Sequence, residues 1–229
     1  DLAPAQRDDA ALAVDNFKDY LRWLIAERQK NPLSGEDGEV LSKLVGPDAE
    51  GDTLTELELL HNCIFLLNAG HETTANTVTN GVDALLRFPD QLDRLRADPE
   101  LIVSGVEELL RFESSVQLNN RKLTADAEIG GVAMNKGDYV WLCIGAANRD
   151  PAEFPDPDAI DIGRDRNKHL AFGSGIHACA GMSLGRMEIR IALNGFVQRF
   201  GQIEPSGTAL HHPRARFRGF VDYPVTASV

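Results

Sequence analysis

The sequence predicts a mainly α-helical fold with a small antiparallel β component. Apolar residues recur at helical spacing through several long segments, whereas the alternating pattern of a strand is confined to short segments in the second half. Neither an internal repeat nor a low-complexity linker divides the chain. We therefore expect residues 1–229 to form a single unit.

The longest helix is predicted in the middle of the chain. Thr55 and Glu58 have the spacing of a capping box, and apolar residues then continue at helical spacing until Phe88 and Pro89 stop the run. Helical periodicity predicts further helices over residues 8–30, 90–97, 101–112 and 182–200. Residues 31–52, rich in Gly, Pro and acids, are expected to form a loop with a short helix.

The β component is predicted after these central helices. Alternation of apolar with polar residues, or a high content of β-branched residues, indicates strands over residues 116–118, 128–132 and 138–144. Residues 214–225 are expected to form a hairpin or a return strand. Together these segments predict only a small antiparallel sheet.

A glycine-rich segment around Cys179 is the most informative part of the chain. Residues 172–181 read FGSGIHACAG, and the next predicted helix follows directly, which puts Cys179 at a helix N-terminus. The helix dipole stabilises a thiolate there, and glycines allow tight or left-handed turns beside a flat ligand. A lone cysteine would suggest only a buried residue in a turn. Six positions matched at fixed spacing favour a thiolate ligand for haem iron instead, a ligand that promotes O–O cleavage.

With these residues, the segment resembles the haem-binding loop of the cytochrome P450 family. The resemblance implies that Cys179 ligates the iron of haem b and that His177 binds a haem propionate. It also implies that the cofactor-binding residues of the loop are Phe172, Gly173, His177, Cys179 and Gly181.

A second signature lies on the predicted helix 101–112. Glu108 and Arg111 form an E-x-x-R pair on one helix face, a pattern equally suited to a solvated ion pair. The resemblance implies a buried pair completed by Arg164, from the irregular stretch that precedes the cysteine segment. These three residues are expected to form the structural triad of the haem core.

The third signature is Glu72-Thr73, in the central helix. It follows Ala69-Gly70, and the pattern alone also suits a polar helix surface. An acid beside an alcohol can relay protons, and glycine with threonine in mid-helix suggests a local distortion. The resemblance implies that Glu72 and Thr73 are catalytic, and that Ala69 and Gly70 leave room for haem and O₂.

The resemblance implies further roles for single residues. Arg121 matches an arginine that binds a haem propionate. Arg186, seven residues after Cys179, is either a docking charge for an acidic redox partner or an ordinary solvated arginine. Positions that resemble substrate contacts are Asn68, Val116, Leu118 and Phe220.

Composition indicates a globular intracellular protein. The formal charge of -12 argues against nucleic acid or an anionic membrane as partner. Cys63 and Cys143 are expected to be core residues in a reducing compartment, because the cysteines show no metal or disulfide spacing. No long apolar run and no signal-peptide pattern are found, so a cytoplasmic location is expected.

The resemblance covers essentially all of this chain but only the C-terminal half of the family. It implies a monooxygenase that hydroxylates an apolar organic substrate, with electrons from NAD(P)H delivered through a ferredoxin or flavoprotein. The alternative is a catalytically silent fragment that at most binds haem or needs a complementary half. Either form is expected to expose apolar surface and to risk self-association.

Overall fold

A computed structural model describes residues 4–33 and 39–229, which fall into two compact units. The first ends at Ala69 and the second runs from Gly70 to Val229. The fold is mainly helical with short antiparallel strands, so the predicted fold class is confirmed. That residues 1–229 act as one haem-binding unit stays a prediction.

The first unit contains α1 (Pro4–Lys30), α2 (Val40–Val45) and the beginning of α3 (Glu56–Arg87). Its core is a small apolar cluster of Leu21, Ile25, Leu59 and Leu60. The predicted capping box is present: Glu58 N donates to Thr55 Oγ1 at 3.3 Å, and Thr55 N donates to Glu58 Oε2 at 2.8 Å. Residues 34–38 of the predicted loop lie outside the described residues.

Helix α3 is unbroken from Glu56 to Arg87, so the expected distortion near Gly70 is wrong. Threonine hydroxyls further along the helix bond the carbonyl one turn earlier, as Thr77 Oγ1 does to Thr73 O at 2.8 Å. Bonds of this kind often bend a helix, but α3 stays helical at every residue through these threonines. One glycine costs only about 1 kcal/mol in a helix, which is small beside the packing of so long an element.

The other helices of the second unit are α4 (Pro89–Ala97), α5 (Ile102–Phe112), α6 (Ile144–Ala147) and α7 (Met182–Arg199). Their apolar faces meet in one core, where Val106 of α5 and Leu193 of α7 are completely buried. A side chain at Gly81 of α3 would lie 3.0 Å from Leu193 Cδ1, so glycine allows this close approach. The core holds α5 against α7, the helix that follows the cysteine segment.

The strands form four separate two-stranded antiparallel ladders. The pairs are β1 (Leu118–Lys122) with β4 (Tyr139–Cys143), β2 (Ala127–Ile129) with β3 (Val132–Met134), β5 (Gln202–Pro205) with β8 (Val225–Ser228), and β6 (Leu210–His211) with β7 (Phe220–Asp222). The strand predicted over 116–118 is displaced, because Val116 bridges Phe217 and the ladder begins at Leu118. The strand predicted over 128–132 is split into a hairpin, since Gly130 and Gly131 both have positive φ.

Many large apolar side chains of the second unit are exposed. On α7, Leu184, Met187 and Ile191 share one outward face, and Ile191 is 68% exposed. Tyr139 and Trp141 are exposed on β4. Among the described helices, none is long and apolar enough to cross a membrane.

Candidate functional site

The cysteine segment is closed by one backbone hydrogen bond. Cys179 N donates to Phe172 O at 2.8 Å, and Ala178 N donates to Gly175 O at 3.0 Å within the loop. Gly173 and Gly175 have φ values of +68° and +65°. A Cβ on Gly173 would lie 3.1 Å from His177 O, so this turn requires glycine.

Cys179 is exposed and lies just before α7. Gly181 is the N-cap of this helix, and Met182 N donates to Cys179 O at 3.3 Å. His177 is also exposed, in the 3-10 turn Gly175–His177. The cysteine thus lies beside the amide groups that begin a long helix, at the place the sequence predicts.

The donor set at this loop suits haem better than a bare metal ion. Among the described residues, no cluster of three or more His, Cys, Asp or Glu side chains is arranged to hold a metal ion. Haem brings most of its iron's ligands with it, so a site of this kind would need only one protein ligand, and Cys179 would be that ligand. The exposed thiol, with the exposed apolar Ile176 beside it in the loop, fits a large flat ligand.

The structure brings the predicted triad together. Glu108 Oε2 accepts hydrogen bonds from Arg111 Nε at 2.8 Å and from Arg164 Nε at 3.0 Å. Glu108 and Arg111 are 0% and 1% exposed, so this is no solvated surface pair. Asn167 Nδ2 adds a further donor to the same carboxylate oxygen at 2.9 Å. A buried charge satisfied this completely is costly to disturb.

Asn148 links the triad to the cysteine segment, a role that sequence reasoning missed. Arg111 Nη1 donates to Asn148 O at 2.9 Å, and Leu170 N donates to Asn148 Oδ1 at 2.7 Å. Asn148 is completely buried. Its signal was its place in the stretch Asn148–Pro151, which the family resemblance marked without singling out the amide. The triad therefore contacts the backbone two residues before Phe172.

Glu72 and Thr73 lie on α3 and carry different contacts. Arg214 Nη1 donates to Glu72 Oε1 at 2.5 Å, which ties the helix to the segment between β6 and β7. Thr73 O accepts the hydroxyl of Thr77, so the Thr73 backbone is held in the helix. Glu72, whose carboxylate is paired with Arg214, is thus followed directly by the hydroxyl residue Thr73, and an acid next to an alcohol suits a proton relay.

The other predicted site residues of α3, Asn68, Ala69 and Gly70, are exposed. A Cβ added to Gly70 would meet no atom within 4 Å, so the structure leaves open space beside this glycine. Asn68 and Ala69 are exposed and end the first unit.

A cavity of about 510 Å³ opens between β1 and the C-terminal strands. It is lined by Gln117, Leu118, Cys143, Ala146, His211, His212, Arg214, Ala215, Phe217, Arg218 and Gly219. Of the predicted substrate positions, Leu118 lines it and Val116 bridges its wall residue Phe217. Phe220 instead lines a separate hollow of about 250 Å³ and stacks on His211 at 4.1 Å.

Cys143 is exposed on β4, so its expected place in the core is wrong. The reason is that β4 pairs only with β1, and this two-stranded ladder leaves much of its surface uncovered. Cys63 is half-buried, and burial raises the pKa of its thiol.

Arg121 lies on β1, where its Nη1 donates to Asn120 O at 2.7 Å. Its strand pairs it with Val140. The haem-propionate roles of Arg121 and His177 stay predictions.

The Cytochrome P450 family model matches residues 3–227 of this chain. A biotin biosynthesis cytochrome P450 of Bacillus subtilis is 42% identical over 90% of this chain and 51% of its own length. The cytochrome P450 monooxygenase PikC of Streptomyces venezuelae is 40% identical over 97% of this chain and 53% of its own length.

Solved structures show the same relationship. P450BioI, in complex with an acyl carrier protein ligated to hexadec-9Z-enoic acid, has a TM-score of 0.91 and 39% identity. It is matched over 99% of this chain and 57% of its own. CYP109E1 of Bacillus megaterium in complex with corticosterone has a TM-score of 0.92 and 32% identity, over 100% of this chain and 61% of its own. The chain spans about half the length of the curated relatives it matches.

Proposed function

Because the chain belongs to the cytochrome P450 family, we propose that it is the C-terminal, haem-binding part of a monooxygenase that hydroxylates an apolar organic substrate. The observation that carries the proposal is the cysteine loop. The Cys179 amide is bonded to Phe172 O, and the Cys179 side chain is exposed directly before α7. This arrangement presents one thiolate, as a haem-thiolate site needs.

Members of the family use haem b, which supplies oxygen activation when bound. In this chain Cys179 would hold the iron, while Gly173 and Gly181 keep side chains away from the macrocycle. Arg121 and His177 would hold the propionates, since both can donate hydrogen bonds to a carboxylate. Phe172 fixes the loop through its carbonyl group.

Proton delivery is assigned to Glu72 and Thr73. Arg214 orients the Glu72 carboxylate, which can take protons from water because it remains partly exposed. The Thr73 hydroxyl, on the next residue of α3, would pass a proton on toward the reacting oxygen. Ala69 and Gly70 leave space on the same helix for O₂ and the haem.

The substrate and the partners follow from the family and the cavity. Leu118 and Phe217 give one wall an apolar character that suits a hydrophobic organic molecule, and Val116 bridges Phe217 in the backbone. Asn68 and Phe220 are further candidate contacts. Electrons would come from NAD(P)H through a ferredoxin or flavoprotein, in the cytoplasm. The exposed apolar face of α7 would favour self-association of this chain alone.

A second candidate function is a haem-binding half that is silent without its complement. The exposure of Leu184, Met187, Ile191, Tyr139 and Trp141 favours it, because apolar surface of this kind is usually covered by another element or chain.

Turnover separates the two candidates. The 229-residue chain is supplemented with haem, a ferredoxin, its reductase and NADPH, and is tested with fatty acids and steroids under isotopically labelled O₂. Labelled hydroxylated product supports the monooxygenase. Haem uptake without product supports the silent half, and no haem uptake contradicts the first candidate and leaves only a half that requires its complement.

A further inference from the structure

We propose that Glu107 is a positioning residue for Cys179: through Arg186 and His169 it fixes Phe172, whose carbonyl oxygen holds the Cys179 amide. The proposal rests on the proposed function only in the role of Cys179 as haem ligand. Glu107 precedes the triad residue Glu108 on α5, and nothing in the motif itself assigns it a task.

Glu107 holds Arg186 by a two-pronged ion pair. Arg186 Nε donates to Glu107 Oε1 at 2.8 Å, and Arg186 Nη2 donates to Glu107 Oε2 at 2.9 Å. This geometry fixes the plane of the guanidinium as well as its place. The guanidinium lies over the ring of Phe172, 4.6 Å from its centroid. A cation at this distance attracts the ring, so the ion pair sets the position of Phe172.

His169 forms a second link between Glu107 and the chain next to Phe172. Its Nε2 lies 3.1 Å from Glu107 Oε2, and Ala171 N donates to its Nδ1 at 3.2 Å. Because Nδ1 accepts, the ring proton is on Nε2, which donates to the carboxylate. The imidazole is almost completely buried and lies 6.0 Å from the Phe172 ring. Glu107 therefore contacts one residue before Phe172 in the chain, His169, and one residue after it, Arg186.

The Glu107 carboxylate keeps its charge across the neutral range. Burial alone would raise the pKa of this carboxyl group, but hydrogen bonds from His169 and Arg186 lower its pKa to about 2. Arg190 Nη2, at 3.7 Å from Oε1, adds a further cation on α7. The ion pair is thus in place at any pH where the protein would work.

The segment before Cys179 is held from two sides by neighbouring acids of α5. Glu108 acts through Arg111 and Asn148 on the Leu170 amide, and Glu107 acts through Arg186 on the Phe172 ring. The Phe172 carbonyl then binds the Cys179 amide. Removing the Glu107 contacts should free Phe172 while the triad stays intact.

This role differs from the other role considered for Arg186, a docking charge for an acidic redox partner. For positioning, Glu107→Gln and Arg186→Gln break the same ion pair and have the same effect. For docking, the two substitutions change the surface charge in opposite directions, and their effects on partner affinity are opposite.

The first test is hydrogen exchange of backbone amides in the 229-residue chain without haem. We expect Glu107→Gln and Arg186→Gln each to speed exchange at the Cys179 amide by about tenfold, as for local opening after a lost ion pair. Arg186→Lys keeps the positive charge but cannot form the two-pronged ion pair with Glu107, so it should increase the Cys179 exchange rate by less. Exposed Glu188, on the same helix, gives the matched control Glu188→Gln, which should change nothing.

Amides of the core residues Leu109 and Leu193 show whether an effect is local. If Cys179 exchange is unchanged, or if all three amides speed up equally, the proposal is overturned. Should a charge variant fail to fold, Phe172→Leu removes the ring beneath Arg186 and leaves the Glu107 ion pair intact. It should still speed exchange at Cys179, and unchanged exchange would overturn the proposal.

The second test uses the haem-loaded chain and its reduced, carbon monoxide-bound spectrum. Both charge variants should keep their haem but move part of the Soret band from the thiolate position to the neutral-thiol position, and Arg186→Lys should restore part of it. Unchanged spectra with opposite shifts in ferredoxin affinity would overturn positioning in favour of docking. A chain that takes up no haem contradicts the proposed function, while the exchange result still decides the role of Glu107.

Discussion

Glu108 and Arg111 form a two-pronged ion pair that is completely shielded from solvent. Arg111 Nε donates to Glu108 Oε2 and Arg111 Nη2 to Glu108 Oε1, each at 2.8 Å, one turn apart on α5. Arg111 also donates to the carbonyl groups of Asn148, Pro157 and Ala159. Through these bonds the Arg111 side chain holds residues 148–159, part of the irregular stretch that leads to the cysteine loop.

Glu108→Gln should destabilise the protein by about 3–5 kcal/mol, because it leaves the buried Arg111 charge without its counterion. Urea unfolding followed by circular dichroism measures the change. Glu188→Gln, an exposed acid on α7, is the control and should lie within about 0.5 kcal/mol of the parent. An equal free energy of unfolding for Glu108→Gln and the parent would mean that the triad does not stabilise the fold.

Gly173→Ala should cost about 1–3 kcal/mol, since it forces a side chain into a left-handed backbone conformation. The added methyl group would also lie 3.1 Å from His177 O. Gly201→Ala is the control, because a Cβ there meets no atom within 4 Å and its φ is not left-handed. Thermal unfolding of the two variants should differ, and identical midpoints would contradict the strained turn.

Thr73→Ala should leave haem content unchanged and lower the rate of product formation by roughly 10²-fold or more, the usual effect of losing a general acid–base group. The electrons from NADPH should then form hydrogen peroxide in place of hydroxylated product, so the measurement is the ratio of peroxide to product. Thr79→Ala removes another α3 hydroxyl, one that donates to Ala75 O, and serves as the control. A variant that fails to fold would reassign Thr73 to a structural role.

Alkaline pH should destabilise the second unit through Tyr223. Burial, together with the charge and hydrogen bond of Asp83, raises the pKa of Tyr223 to about 12. The unfolded value is about 10, so the folded state binds more protons between these values and stability falls as the pH rises through them. Tyr223→Phe should flatten the fall in free energy of unfolding over this range. An equally steep fall in the variant would assign the loss to other groups.

Much of the fold follows from local sequence signals. The capping box at Thr55 and the stop at Pro89 set the ends of α3 to within a residue or two. Periodicity located α4, α5 and α7 in the same way, whereas α1 begins at Pro4, four residues before its predicted start. The short strands were less well predicted, because β5 and β6 are only a few residues long and exist through pairing with distant partners.

The site was predicted unevenly for a physical reason. Cys179 stands in one short motif, and Glu108 and Arg111 stand in another, so local sequence identifies all three. Asn148 acts through bonds to residues far along the chain, and no local pattern shows these. The ion pair between Glu107 and Arg186 likewise joins two helices that are far apart in the sequence. The sequence alone could therefore not separate a positioning role of Arg186 from a docking role.

We propose that this chain presents Cys179 as the thiolate ligand of haem. The reduced, carbon monoxide-bound absorption spectrum of the purified chain after haem supplementation tests this role, with Cys179→Ala measured beside it. We predict a Soret band at the red-shifted thiolate position in the parent chain, lost in Cys179→Ala, whose circular dichroism remains that of the parent. A band at the thiolate position in both proteins, or in neither, would contradict the account.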